Sequence, residues 1–205
     1  MSPFRPELCH WWQTSAVELV VKVSTWMVQD GGEPELAVGD DWSVDLLFHP
    51  DEQLQAAAED AVLSLTPEPV GESLSGYRLT AKVHRLPATS THVEGLALEV
   101  PGVLLGYSRH PPLPPTPVVT GRGTLATDNY GRRMSWAFPE AKRYCVVEKI
   151  TLVTAPLIPS PASPATHVPD WTRRADTSIQ RMRMWQDEPA GGWATYFVTV
   201  RLLDW

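Results

Sequence analysis

A chain of 205 residues has room for one large domain or two small ones, and it can bury a core without disulfides or metal ions. Its formal net charge of -7 argues against nucleic acid as a partner of the whole surface, and its 20 prolines disfavour long helices. No apolar run is long enough to cross a membrane and no signal peptide is evident, so we expect a cytoplasmic protein with reduced thiols at Cys9 and Cys145.

Residues 1–16 show no periodicity, and we interpret them as a leader that precedes a single β-rich domain over residues 17–205. Cys9 and His10 are adjacent in this leader, which is a pairing seen among nucleophiles and metal ligands. Side chains of sequence neighbours point in different directions, however, and catalytic Cys/His pairs are usually distant in sequence. We therefore favour a leader that is held on the core by Trp11 and Trp12.

Two alternating segments predict the first strands of the domain. Apolar side chains occupy one face of residues 17–23 and one face of residues 42–48, as in strands with a solvated face. Glycines at 31, 32 and 39 supply turns between the two segments. We interpret Trp26 and Trp42 as core residues rather than ligand contacts, because aromatic side chains bury large apolar areas.

The next stretch predicts the only helix. Apolar residues recur at helical spacing behind Asp51, which can cap a helix that runs from about Glu52 to Leu63. Prolines at 67 and 69 forbid its continuation, although residues 62–65 also fit a strand. Two proline-rich stretches, at 110–117 and 156–169, are interpreted as long loops; for the first, docking on an aromatic groove is the alternative to a stiff connection.

Further alternating or β-branched segments predict strands at 77–83, 93–100, 103–107, 118–127, 144–153 and 196–202. Gly121 and Gly123 predict a bend in the strand that contains them, and one strand is expected after residue 169. About eight strands, one short helix and long proline-rich loops favour a mainly β fold, an antiparallel barrel or sandwich.

These segments resemble a family of small, functionally uncharacterised actinobacterial β-rich proteins. The resemblance lies in four blocks: Trp26-Met27 with Gly32-x-Pro34 and Val38-Gly39-Asp40-x-Trp42-x-Val44, then Gly123-Thr124-Leu125 with Asp128, then Val147-Glu148-Lys149-Ile150, then Val198-Thr199-Val200. It implies cysteines after the first tryptophan and histidines after Asp128. This sequence has Gln29-Asp30-Gly31 and Asn129-Tyr130 at those places, so no thiol or imidazole chemistry carries over.

An enzyme is one hypothesis for the function. The six histidines form no H-x-x-x-H pair, and no G-x-S-x-G elbow is present. His84 and His92 flank one predicted loop, while Asp41 and Asp45 share one face of a strand and offer a carboxylate pair. A small barrel enzyme of cyclase or hydrolase type is therefore an alternative, but the sequence favours a protein that is not an enzyme.

A non-catalytic binding module is the preferred hypothesis, because small β-rich domains carry function on loops and in barrel mouths. Four tryptophans fall outside the periodic strands and are predicted to line a groove for a partner protein or an apolar small molecule: Trp136, Trp171, Trp185 and Trp193. We expect no metal or cofactor.

A basic segment adds a third hypothesis. Residues 121–183 hold ten basic and five acidic side chains, and Arg181 and Arg183 alternate with methionines. This pattern fits contact with single-stranded nucleic acid by charge and stacking, or a solvated edge strand. We favour the edge strand and include both arginines among the candidate contact residues.

Overall fold

The computed structural model describes residues 17–70, 73–86, 95–107, 112–127, 142–183 and 192–203. The predicted leader, Trp136, Trp185 and His92 lie outside these residues. As predicted, the fold is mainly β. Among the described residues the helices are a short α-helix that was not predicted, α1 (Thr25–Gln29), and a 3₁₀ helix at Trp171–Arg173. The strands are β1 (Glu18–Ser24), β2 (Asp41–Pro50), β3 (Gln55–Ala56), β4 (Ser64–Val70), β5 (Ser73–Leu86), β6 (Gly95–Val100), β7 (Val103–Tyr107), β8 (Val118–Thr127), β9 (Lys142–Ser160), β10 (Ser163–Pro169), β11 (Ala175–Ile179) and β12 (Gly192–Leu202).

Eight of these strands close into a barrel. The order around it is β9, β12, β1, β8, β5, β6, β7 and β2, and β2 pairs back to β9. Most neighbours are antiparallel, but β1 runs parallel to β8 and β2 runs parallel to β7. The barrel is therefore mixed, and the prediction of an antiparallel one was wrong. Short turns in the sequence indicate hairpins between consecutive strands, whereas these two pairs join strands that are far apart in the chain.

The alternating segments form the core as expected. Val21 and Val23 are fully buried, and Trp42 belongs to the same hydrophobic cluster as Val200. Trp26 does not behave as predicted, because its side chain is 42% exposed. It lies in α1 rather than in a strand, and the helical turn directs its neighbours Met27 and Val28 inward instead.

Two local predictions were wrong. Residues 52–63 contain no helix; Leu54 is buried in the core, and β3 pairs with β8. Residues 156–169 are not a loop but the end of β9 and the strand β10, which form a hairpin. Prolines fit there because an edge strand does not need every N–H for pairing. Within the described ranges two strands, β11 and β12, follow residue 169, whereas one was expected.

The glycines of β8 mark the place where this strand changes partners. Residues up to Gly123 pair with β5, and residues from Gly123 onward pair with β2. At Gly123 the end of β2 approaches so closely that a Cβ atom would lie 2.7 Å from Phe48 Cζ and 2.8 Å from Pro50 Cα. Only the absence of a side chain allows this approach, so the predicted bend at the glycines corresponds to a crossing point of the sheet.

None of the helices in the described ranges is long and apolar enough to span a membrane.

Candidate binding surface

Two of the predicted contact tryptophans meet on the outer surface of the sheet. Their ring centroids are 4.8 Å apart and the rings are inclined by 76°, which is an edge-to-face contact. Trp193 pairs in register with Ala155 of β9, and Trp171 begins the 3₁₀ helix that follows the β9–β10 hairpin. Both side chains are partly exposed. The hairpin thus brings together two residues that are separated along the chain.

Local hydrogen bonds fix the position of Trp171. Asp170 caps the 3₁₀ helix: its Oδ1 accepts from the N–H of Thr172 at 3.1 Å and from the Thr172 hydroxyl at 2.6 Å. The backbone N–H of Asp170 donates to the carbonyl oxygen of Pro156 at 2.8 Å. Because Pro156 is the neighbour of Ala155, this bond holds the start of the 3₁₀ helix next to Trp193.

A partly buried lysine lies beside the tryptophans. The Nζ atom of Lys22 is 5.8 Å from the centroid of the Trp193 ring, within cation–π range. Lys22 pairs in register with Phe197, and burial lowers the pKa of its ammonium group. None of the ion pairs among the described residues involves Lys22. Its charge is therefore incompletely solvated, and no carboxylate within the described ranges forms an ion pair with it, so an anionic group of a ligand would stabilise it.

A shallow groove of about 370 Å³ lies on the same face of the sheet. Its lining comes from four neighbouring strands, β1, β12, β9 and β11: Val20, Lys149, Thr151, Asp176, Ser178, Phe197 and Thr199. Three hydroxyls and two charged groups surround the apolar side chains. Phe197 is the apolar centre; it lies between Tyr196 and Val198 of the core, so its own side chain points outward. We call Trp171, Trp193, Lys22, Phe197 and the groove the tryptophan face.

Strand β11 forms the margin of the tryptophan face. Among the described strands it pairs with β9 alone, and four of its five residues are exposed. Arg173 and Arg174 precede it, and Arg181 and Arg183 follow it. Arg174 Nε lies 3.5 Å from Asp176 Oδ1, which is a long ion pair. The strand is therefore a solvated edge with basic residues at both ends.

The predicted arginines lie in an extended segment after β11. Arg181 forms a β-bridge with Ala37, and the carbonyl oxygen of Arg183 accepts from the Tyr196 hydroxyl at 3.2 Å. Both arginines are exposed, whereas Met182 between them is fully buried. Tyr196 points into the core, so this part of the segment lies on the inner side of β12, and the Trp193 ring lies on the outer side.

The sequence pattern singled out two residues of the tryptophan face, and their contact role stays a prediction. It predicted Trp171 and Trp193 as contact residues, although Trp193 lies inside β12 rather than in a loop. It missed Lys22 and Phe197. The available signal was Phe197 itself, an apolar residue at a position of β12 where the alternation calls for a polar one.

Where the structure describes the residues considered for catalysis, they lie on different strands, and His92 is outside the described residues. His84 Nε2 lies 2.6 Å from Glu99 Oε2 on the β5–β6 ladder, while Asp41 and Asp45 lie on β2. Burial, and to a lesser degree the charge of Asp41, raises the pKa of the Cys145 thiol to about 11. Cys145 is thus a protonated core residue that donates weakly to the carbonyl oxygen of Trp42 at 3.4 Å. Within the described ranges, no three His, Cys, Asp or Glu side chains are grouped as metal ligands.

No family model, curated protein or solved structure matches the chain.

Proposed function

We propose that the protein is a non-catalytic interaction module and that the tryptophan face is its contact surface. The observation that carries the proposal is the edge-to-face pair of Trp171 and Trp193, which is partly exposed, shares its face of the sheet with a groove and lies beside Lys22, a lysine without an ion pair among the described residues. Tryptophan is one of the residues enriched at the positions that dominate binding energy. A face of this kind binds by burying aromatic surface and does not need a reactive group.

A partner protein is the occupant that fits best. The groove is open and shallow, and its hydroxyl groups and charges are spread along four strands, so it suits a ligand that contacts it at several points. The rigid elements beneath it also support recognition. Phe197 is only 7% exposed and Val153 only 1% exposed, although both face away from the core cluster, so the sheet is well packed on this side as well.

The proposal is tested by panning a phage library of random twelve-residue peptides on the immobilised protein. Enriched peptides are then synthesised and titrated against the wild type, Trp171→Ala and the control Tyr144→Ala. Tyr144 is a suitable control because it is an exposed aromatic residue of β9 with its own lysine, Lys142, 5.9 Å from the ring.

We expect Trp171→Ala to weaken binding at least about tenfold, which corresponds to about 1.4 kcal/mol and to an interface position of large contribution. Tyr144→Ala should bind like the wild type, and circular dichroism should show that both variants are folded. The proposal is wrong if no peptide is enriched, or if the two variants lose affinity equally.

A small organic anion is a second candidate ligand, favoured by the position of Lys22 next to Trp193 and Phe197. The groove volume lies at the lower end of the range for ligand pockets, which begins at roughly 300 Å³. Titration with 8-anilinonaphthalene-1-sulfonate tests it. The native protein should bind the dye, and Lys22→Met should bind it more weakly because it keeps the apolar contact and removes the charge. Equal binding by both proteins rules out Lys22 as the anion contact.

A further inference from the structure

The free edges of the sheet differ in a way that points to a docking site. Apart from the two-residue β3, three strands of the described chain pair on one side only: β4, β10 and β11. Strand β4 contains prolines at 67 and 69, and β10 contains prolines at 164 and 169. A proline has no N–H to offer a further strand, and prolines on edges are a common protection against unwanted pairing. Strand β11, with the sequence ADTSI, has no proline.

The backbone of β11 is accessible. Residues 175–178 are exposed, and the ladder to β9 uses only one side of the strand. In an antiparallel ladder, successive residues alternately direct both backbone groups toward the partner strand and away from it. Alternate N–H and C=O groups of β11 therefore point away from β9, in the geometry that a further strand requires.

The surroundings of β11 specify what kind of strand would fit. Asp176 and Ser178 line the groove, so a strand added next to β11 would extend the sheet that carries the tryptophan face and direct every second side chain over it. Between residues 170 and 183 there are four arginines and two aspartates. One aspartate caps the 3₁₀ helix and the other pairs with Arg174. The edge is thus locally basic on a protein whose net charge is -7.

We propose that β11 binds an extended acidic segment of a partner protein, which adds to the sheet as a further strand. This mode of recognition obtains affinity from main-chain hydrogen bonds and selectivity from alternate side chains. It rests on the proposed function and names the class of partner. A second copy of the chain fits less well, because pairing of two β11 strands would bring together the arginines at their ends, and like charges across a sheet destabilise pairing.

The probe is a fluorescein-labelled, acetylated octapeptide that alternates valine and glutamate, followed by fluorescence anisotropy. Two derivatives carry N-methyl groups, one on the valine nitrogens and one on the glutamate nitrogens. A third derivative has lysine in place of glutamate. One of the two methylated peptides lacks the N–H groups that would pair with β11, so it should bind at least about tenfold more weakly than the parent peptide. The lysine peptide should bind more weakly still, and affinity for the parent should fall as salt is added.

Proline substitutions test the protein side. In Thr177→Pro and Ser178→Pro, one proline removes an N–H that faces solvent and the other removes one that pairs with β9. The variant that loses the solvent-facing N–H should keep the thermal midpoint of the wild type and lose peptide binding. The variant that loses the N–H paired with β9 should have a lower thermal midpoint. Absence of binding by the parent peptide, or indifference to both N-methylation and the solvent-facing proline, would overturn the inference.

Three further outcomes show whether this inference, the proposed function or both are wrong. If binding of the peptides selected by panning depends on Trp171 but tolerates N-methylation, and these peptides carry no acidic residues, the proposed interaction module is supported and strand addition at β11 is wrong. If sedimentation shows a dimer that the solvent-facing proline dissociates, the edge binds a second copy and the acidic partner is wrong. If neither Trp171 nor β11 affects binding of any selected peptide, both proposals fail.

Discussion

Replacement of Gly123 by alanine tests whether β2 and β8 cross as closely as described. The added methyl group would meet the carbonyl oxygen of His49, the ring of Phe48 and the Cα of Pro50. Two of these three atoms belong to the backbone, and rotation of a side chain cannot move them aside. We expect a loss of about 3 kcal/mol in the free energy of unfolding, the upper part of the range for overpacked cores.

Gly121→Ala is the matched control, because it lies two residues earlier on the same face of β8. Its methyl group would meet Leu54, and the nearest atom is the end of that flexible side chain. Rotation of Leu54 should limit the loss to about 1 kcal/mol. For a protein of this size, each kcal/mol shifts the thermal midpoint by about 2–4 °C, so the two variants should melt at least about 4 °C apart.

Differential scanning calorimetry gives the thermal midpoints, and guanidinium titration followed by tryptophan fluorescence gives the free energies of unfolding. Equal midpoints for the two variants, or a loss below about 1 kcal/mol for Gly123→Ala, would refute the close crossing of β2 and β8. A larger loss for Gly121→Ala than for Gly123→Ala would contradict the assignment of the backbone contact.

Three other substitutions probe single groups. Tyr77→Phe removes the hydroxyl that accepts from the N–H of Val20 at 2.6 Å. Because this part-buried donor is then unpaired, the free energy of unfolding from urea titrations should fall by about 1–3 kcal/mol. An unchanged urea midpoint would show that water replaces the hydrogen bond. In a Cys9→Ser background, Cys145 should resist Ellman's reagent at pH 8 until the protein unfolds. The Cys145 side chain is buried, and with a pKa of about 11 only roughly a thousandth of its thiol is thiolate at that pH. Rapid labelling of the folded protein would contradict this prediction. A hydrogen bond from Arg78 lowers the pKa of Glu68 from its usual 4.5, so the stabilisation from this carboxylate should be complete above that value and disappear as the pH falls through the lower folded-state pKa. The stability difference between wild type and Glu68→Gln should therefore close on acidification, and a gap that is constant between about pH 6 and about pH 3 would exclude the mechanism.

Alternation predicted the strands that line the core, because burial on one face imposes a period of two on β1, β2 and β12. It could not predict the parallel pairs, since nothing local distinguishes β8 from any other neighbour of β1. The helix expected at residues 52–63 failed because Leu54 gains more by packing into the core beside Gly121 than a short isolated helix gains from its spacing. The β9–β10 hairpin was missed because its prolines were interpreted as loop residues, although an edge strand accepts them.

The candidate surface was only partly predictable for a related reason. The contact between Trp171 and Trp193 depends on a hairpin and on a hydrogen bond from Asp170 to Pro156, neither of which leaves a pattern in the sequence. Lys22 appears in the sequence as one of several polar residues on the solvated face of β1. Its partial burial becomes visible only when Trp193 and Phe197 are placed next to it.

The pairing of β1 with β12 has a consequence for biosynthesis. All seven residues of β1 have partners in β12, and the Thr195 hydroxyl donates to the carbonyl oxygen of Val23, 172 residues away in sequence. During translation, the apolar side chains of β1 stay exposed until β12 has been synthesised and can pair with β1. Topologies of such high contact order fold slowly and pass through intermediates with exposed apolar surface, which are prone to aggregation. Yield in the cell should therefore depend on chaperones that protect the emerging polypeptide, more than on the stability of the finished barrel.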